Sequence, residues 1–262
     1  MITAKNNPQL KHLATLLKKR SAREEEGVFV CEGRKMFFEL LTQRPEYLVK
    51  AYWSESGLAE LADADRQTMI NYDWECVADE AFCATAETVT PQGVLAIVRM
   101  PKYSLEDMLT RRNDRLLLLE SLRDPGNLGT ILRTAEAAGM SGIILSSDSV
   151  DAYNPKVVRS TMGGIMRIPF LYTDDFCGML RKLKQENVTL YAAHLQTSVP
   201  YTKPAYGGRT GIMIGNEANG LTDEATALAD IRIRIPMEGQ AESLNAAIAA
   251  AILMYHTKMA QT

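Results

Sequence analysis

Between residues 115 and 259 the chain alternates short apolar runs with amphipathic stretches, and this rhythm constrains the fold more than any other feature. RLLLLESL (115–122), GIILSS (142–147), VTLYAAHL (188–195), TGIMIGN (210–216) and ADIRIRIPM (229–237) read as strands. Residues 129–138, 174–185, 223–229 and 244–259 read as the helices around them. Alternating strands and helices at this spacing predict a mostly parallel α/β sheet covered by helices, because parallel neighbours need crossover connections. Sheets of this kind bind ligands beyond the carboxyl ends of their strands. The loops that follow the strands are therefore where chemistry is expected.

The first hundred residues follow a looser pattern. GVFVCEG reads as a strand ending at a glycine, RKMFFELL as a helix, residues 47–53 as a strand, SGLAELADAD as a helix and VLAIVRM as a late strand. Residues 101–113 are polar and show no sheet pattern. The expected organisation is a basic helical arm over 1–23, a smaller α/β domain over 24–100, a linker over 101–113 and the parallel-sheet domain over 114–262.

The arm stands out by charge. It holds six basic residues, among them Lys18, Lys19 and Arg20, and no acid, so the other 239 residues carry a net −9 within a total of −3. Leu10, Leu13, Leu16 and Leu17 recur at helical spacing, which predicts an amphipathic helix. Its basic face is either a solvated surface or a phosphate-facing one. The faintly acidic total excludes a uniformly basic nucleic-acid coat but not a local patch.

Other classes lose support. The longest apolar run, 246–255, is half of the roughly 20 residues that a membrane-spanning helix needs. Cys31, Cys76, Cys83 and Cys177 form no CxxC pair, and His12, His194 and His256 are scattered, so no metal is expected. Four reduced thiols and a cytoplasmic location are the expectation. Neither a G-x-G-x-x-G loop nor a phosphate-binding loop ending in Gly-Lys-Ser/Thr is present.

Three loops carry the candidate chemistry. After 115–122 comes RDPGNLGTILRTAEAAG, in which Asp124-Pro125-Gly126 signals a turn, Asn127 suits a helix N-cap and Gly139 a left-handed stop. Arg133 lies six residues past Asn127, partly off the apolar stripe. After 210–216 comes GNEANGLTDEA, where Gly215 and Gly220 bracket a tight loop and Thr222 caps the next helix. Glu217 sits at the strand end, where an acid needs a partner, and Arg133 is the natural candidate. After 229–237 comes EGQAESLNAAIAAAILMYH, with Ser243 as the expected N-cap and Asn245 in a first turn it would weaken without another task.

Taken together, NLGTILRTAEAAG, IMIGNEANGLTDE and IRIPMEGQAESLNAAIAAAILMYH resemble the three motifs of the SpoU/TrmH family of RNA ribose 2′-O-methyltransferases, over about residues 114–262. FVCEGRKMFFELL and VTPQGVLAIV look more loosely like the substrate-binding domain that many members carry, itself similar to a small ribosomal protein of the large subunit. The resemblance implies a parallel α/β catalytic domain with a trefoil knot, S-adenosylmethionine as cofactor and a homodimer that completes the site. It assigns Asn127, Arg133, Glu217, Ser243 and Asn245 to catalysis. Gly215, Ile235, Met237 and Leu244 match the wall that holds the cofactor. YNPKVVRSTMGG looks like a family loop, so Lys156 and Arg159 join Lys18, Lys19, Arg20, Arg34 and Lys35 as candidates for RNA contact. The separate N-terminal domain favours ribosomal over transfer RNA as substrate. A non-catalytic RNA-binding or ribosome-assembly protein on the same fold is the alternative from another class. One departure is local: MEGQAE carries Glu238 and Glu242, where related loops often hold a basic residue.

Overall fold

The computed structural model describes residues 1–261. In chain order the elements are α1 (Pro8–Lys18), α2 (Arg20–Glu26), β1 (Val28–Glu32), α3 (Arg34–Gln43), β2 (Leu48–Ser54), α4 (Glu55–Ala59), α5 (Asp63–Met69), β3 (Trp74–Val77), α6 (Asp79–Thr85) and β4 (Val94–Arg99). They continue with α7 (Leu105–Met108), β5 (Arg115–Leu119), α8 (Pro125–Ala138), β6 (Gly142–Ser146), α9 (Pro155–Ser160), β7 (Phe170–Thr173), α10 (Phe176–Gln185) and β8 (Val188–Ala193). The last are β9 (Val199–Pro200), β10 (Arg209–Ile214), α11 (Asp223–Leu228), β11 (Ile231–Arg234) and α12 (Ala246–Ala260).

Two compact units form. The first comprises Met1–Lys102 and Tyr153–Met166, the second Tyr103–Ala152 and the chain from Arg167 onward. These boundaries correct the expected ones at three places. Residues 1–23 are not an arm: Leu10, Leu13, Leu16 and Leu17 are buried in the first unit's core with Val30, Tyr52 and Phe82. Residues 101–113 are not a linker, because Leu105 and Met108 of α7 are buried in the second unit's core. Segment 153–166, read as part of the parallel-sheet domain, belongs to the first unit, where Tyr153 stacks on Phe29 with ring centroids 4.8 Å apart.

The first unit holds a mixed four-stranded sheet in the order β1-β4-β2-β3, antiparallel except for the β2–β3 pair. The second holds a seven-stranded sheet, β7-β6-β5-β10-β8-β11-β9, with every pairing parallel. Its strands β5, β6 and β10 are buried on both faces, the reason they read as apolar runs. Alternate residues point to opposite sides. Leu116, Leu118, Leu190 and Met213 thus meet α7, α10 and α11 in one core, while α8 and α12 pack against each other and against β6 and β10. The carboxyl ends of the adjacent strands β5 and β10 open on the loops that carry the candidate residues.

Candidate active site

The loop after β5 is set by two polar anchors. Glu120, buried in an otherwise apolar strand end, accepts from the backbone N–H of Thr222 at 2.8 Å and from its hydroxyl at 2.7 Å. Thr222 in turn caps α11 through Ala225, as its sequence position predicts. Ser121 follows at φ 54, rare for a residue with a side chain, and its N–H donates to Ser146 Oγ at 2.7 Å. Asn216 Nδ2 donates to Ser121 O at 2.8 Å, tying the β5 loop to the β10 loop.

Helix α8 begins earlier than expected. Asp124, not Asn127, is its N-cap: Asp124 Oδ1 accepts from Asn127 N at 2.7 Å, and Pro125 occupies a first-turn position that has no use for an N–H. Asn127 is thereby released from capping, and its side chain turns to the loop after β10. Its Nδ2 donates to Glu217 Oε1 at 3.0 Å, and Glu217 also accepts from the N–H groups of Asp124 at 3.2 Å and Arg123 at 3.3 Å. The expected Glu217–Arg133 pair does not form. Six residues along a helix place Arg133 about 9 Å further on and about 240° around from Asn127.

Helix α12 also begins differently. Asn245, not Ser243, is the N-cap; its Oδ1 accepts from Ala247 N at 2.9 Å and Ile248 N at 3.3 Å. Its Nδ2 donates to Asn127 Oδ1 at 2.8 Å. A single chain of hydrogen bonds therefore runs from the α12 N-terminus through Asn245 and Asn127 to the Glu217 carboxylate. The direction is fixed at both ends, since a carboxylate only accepts and helix N–H groups only donate. Ser243 is exposed and stands outside this chain. Asn245→Ala is expected to lower stability by about 1 kcal/mol through the lost cap. It also unpartners Asn127 Oδ1, so chemical denaturation should read at least that loss.

The charge on Glu217 follows from its surroundings. Burial raises its carboxyl pKa, but the Asn127 amide and the backbone N–H groups around it outweigh that effect and hold it below the usual carboxylate range. A depressed folded-state value stabilises the fold above the ordinary glutamate range, and the effect fades as pH falls through the depressed value. The melting-temperature gap between wild type and Glu217→Gln is therefore expected to be open at about pH 7 and to close towards about pH 3. A gap independent of pH would show that the charge plays no part.

Arg133 is exposed on α8 and has no hydrogen bond or ion pair among the described residues. A guanidinium with all five donors uncommitted is placed to meet a ligand rather than to brace the fold. The loop after β11 supplies the remaining surface. Between residues 235 and 244 no backbone–backbone hydrogen bond forms among the described residues, and Ile235, Met237 and Leu244 are half-buried. Free amides and carbonyls beside apolar side chains suit a nucleoside, which needs edge hydrogen bonds and an apolar face. The residues present thus fit an adenosyl cofactor. Gly215 acts differently from expectation: a Cβ there would lie 2.0 Å from the Gly220 carbonyl carbon, so the loop's own closure demands glycine.

The family model described as SpoU rRNA Methylase family matches residues 114–255, more than half of the chain. The chain belongs to the SpoU rRNA methylase family. An MRM3-like substrate binding domain model matches residues 7–96. Among relatives, the 23S rRNA (guanosine(2553)-2'-O)-methyltransferase RlmP of Bacillus subtilis is 35% identical over 219 residues, 81% of this chain and 86% of its own. The AdoMet-bound rRNA methyltransferase from Sinorhizobium meliloti superposes with a TM-score of 0.87 at 28% identity, over 98% of this chain and 97% of that one. The SpoU methyltransferase AviRb from Streptomyces viridochromogenes, in complex with AdoMet, gives 0.86 at 26% identity, over 97% of this chain and 98% of that one.

The basic candidates divide. Arg20 pairs with Glu24 at 2.6 Å, Arg34 with Glu60 at 2.5 Å and Arg159 with Glu32 at 3.1 Å. Lys18, Lys19, Lys35 and Lys156 are exposed and form no ion pair among the described residues. Arg23 of the basic stretch is buried and donates to the α1 carbonyls of Leu16 at 2.6 Å and Leu17 at 3.2 Å, so it serves the fold. Sequence reasoning missed Glu120, Ser121 and Asp124. An acid closing an apolar strand and an Asp-Pro pair before a helix were the signals available for two of them.

Proposed function

We propose that this chain transfers a methyl group from S-adenosylmethionine to a ribose 2′-hydroxyl of ribosomal RNA. The observation that carries the reading is the Glu217–Asn127–Asn245 chain, together with an uncommitted Arg133 further along the same helix α8. When bound, the cofactor supplies a methyl group already activated on a sulfonium. Ile235, Met237 and Leu244 would hold it, with the loop closed by Gly215 as the adjoining wall. The chain's own task is to orient a poor nucleophile and to favour its alkoxide character. Arg133 does this as a permanent cation with a planar fork of donors, since an arginine keeps its proton and makes an awkward base. Asn127, held from both sides, and Asn245 keep the helix N-termini in place around the reacting hydroxyl. The match to a substrate-binding domain supports ribosomal RNA over transfer RNA.

The test is to map ribose methylation across total RNA from cells with and without the gene. Loss of one methyl in ribosomal RNA is expected. Loss in a transfer RNA would move the substrate, and an unchanged map would overturn the enzymatic reading.

A homodimer is part of the proposal. On α12, Ile248, Tyr255 and Met259 are 51%, 43% and 71% exposed, and with half-buried Ile252 they form one apolar stripe at helical spacing. Light scattering is expected to give a dimer mass for wild type and a monomer mass for an Ile248→Asp, Tyr255→Asp double variant. A monomeric wild type would refute it. The proposed location is the cytoplasm, supported by four cysteines that all remain free thiols; burial, then Glu32, pushes Cys31 up to about 12.

A further inference from the structure

The carboxyl end of β1 runs into a cavity of about 220 Å³ within the first unit. Glu32 lines it with a side chain only 5% exposed. One of its carboxylate oxygens accepts from Arg159 Nη1 at 3.1 Å and the other from the Thr88 hydroxyl. Met36 and Met162 supply apolar wall, while Thr90 and Gln92 carry polar groups on exposed residues. Met162 sits at φ 50, a conformation rare for a residue with a side chain.

A buried carboxylate is costly to keep where an apolar side chain would serve, unless it is used. It offers about four acceptor positions, of which Arg159 and Thr88 take two. The complement is a flat group presenting two parallel N–H donors. Among the RNA bases only guanine has that edge, through N1–H and N2–H. Adenine and cytosine present a single amino group beside an acceptor, and uracil one N–H between two acceptors. The volume lies below the roughly 300–1,000 Å³ of drug-sized sites, enough for one ring system. Methionine side chains pack well against aromatic rings. Proteins read RNA sequence mostly on unstacked bases in single-stranded segments. Lys35 on the rim and Lys156, one turn of α9 from Arg159, are exposed and unpaired among the described residues, free to meet phosphates.

We propose that this cavity receives one unstacked guanine of the RNA substrate, with Glu32 accepting from N1–H and N2–H. The proposal rests on the reading of the chain as an RNA methyltransferase. Fluorescence anisotropy with the full-length protein and three nine-nucleotide RNAs tests it: a central guanine, inosine or adenine flanked by four uridines on each side. Inosine lacks only the N2 amino group. The guanine RNA is expected to bind about tenfold tighter than the adenine RNA, with inosine between them. Thr90→Trp, which fills the mouth from an exposed position, and Glu32→Gln, which turns one acceptor into a donor, are each expected to equalise the three affinities. Equal affinities in wild type, or a guanine preference surviving in every variant that melts like wild type, overturn the proposal. Should neither variant fold, the wild-type comparison of guanine with inosine decides it alone. Methyl transfer measured on ribosomal RNA separates the two readings: transfer without guanine preference sinks the cavity alone, and preference without transfer sinks the enzyme alone.

Discussion

Arg133→Ala is expected to abolish methyl transfer while leaving the fold unchanged. The side chain is exposed on α8 and has no polar partner among the described residues, so its removal breaks no hydrogen bond or ion pair. Surface changes of that kind usually stay within about 0.5 kcal/mol. Removing a donor aimed at developing negative charge costs about 10²–10³ in rate. Initial rates with labelled cofactor, set beside a melting curve, check both halves. Arg133→Lys should also be poor, since a point charge does not reproduce the planar fork. An alanine variant with near-normal turnover would remove Arg133 from the chemistry.

Gly215→Ala is expected to have the largest effect on stability. The added carbon would lie 2.0 Å from the Gly220 carbonyl carbon and 2.1 Å from Leu221 N. Both are backbone atoms, held by the paired hydrogen bonds between Asn216 and Gly220 at 3.0 and 2.9 Å. No flexible side chain is available to yield, so the cost should reach or pass about 3 kcal/mol, the upper end for overpacking. At 2–4 °C per kcal/mol for a protein of this size, the melting temperature should fall by roughly 6–12 °C. Glu217, two residues on, would lose its register with Asn127, so activity should fall as well. Gly220→Ala is the control: it has φ 71 but open space around the added carbon, and should cost much less.

How much was legible in the sequence depended on whether local chemistry had one solution or several. The five strand-like runs of the second half all became strands; in β5, β6 and β10 nearly every residue is buried, while β11 keeps the alternation of isoleucine and arginine that also marks a strand. Thr222 and Gly139 took their expected cap positions. The caps of α8 and α12 did not, because each helix entry offers two suitable polar residues and the tertiary partner decides between them. Glu217 draws Asn127 away from α8, and Asn127 holds Asn245 at the start of α12. SGLAELADAD divides into α4 and α5 rather than forming one helix. WECV and FLYT are four-residue strands, too short for periodicity to register. Glu217 needed no basic partner, since two backbone N–H groups and an amide sufficed. That arrangement joins residues ninety or more positions apart, which no local pattern encodes.

The composition of the first unit bears on the order in which the protein can be made. Residues 153–166 emerge from the ribosome well after the rest of that unit, at about 5–20 residues per second. Until they arrive, β1 lacks the ring that stacks on Phe29, and the Glu32 carboxylate lacks its arginine. The first hundred residues are thus an unfinished unit when their own synthesis ends. The first unit completes its packing only once Tyr103–Ala152 of the second has been made, and a fragment cut at residue 102 would leave Glu32 without the Arg159 cation.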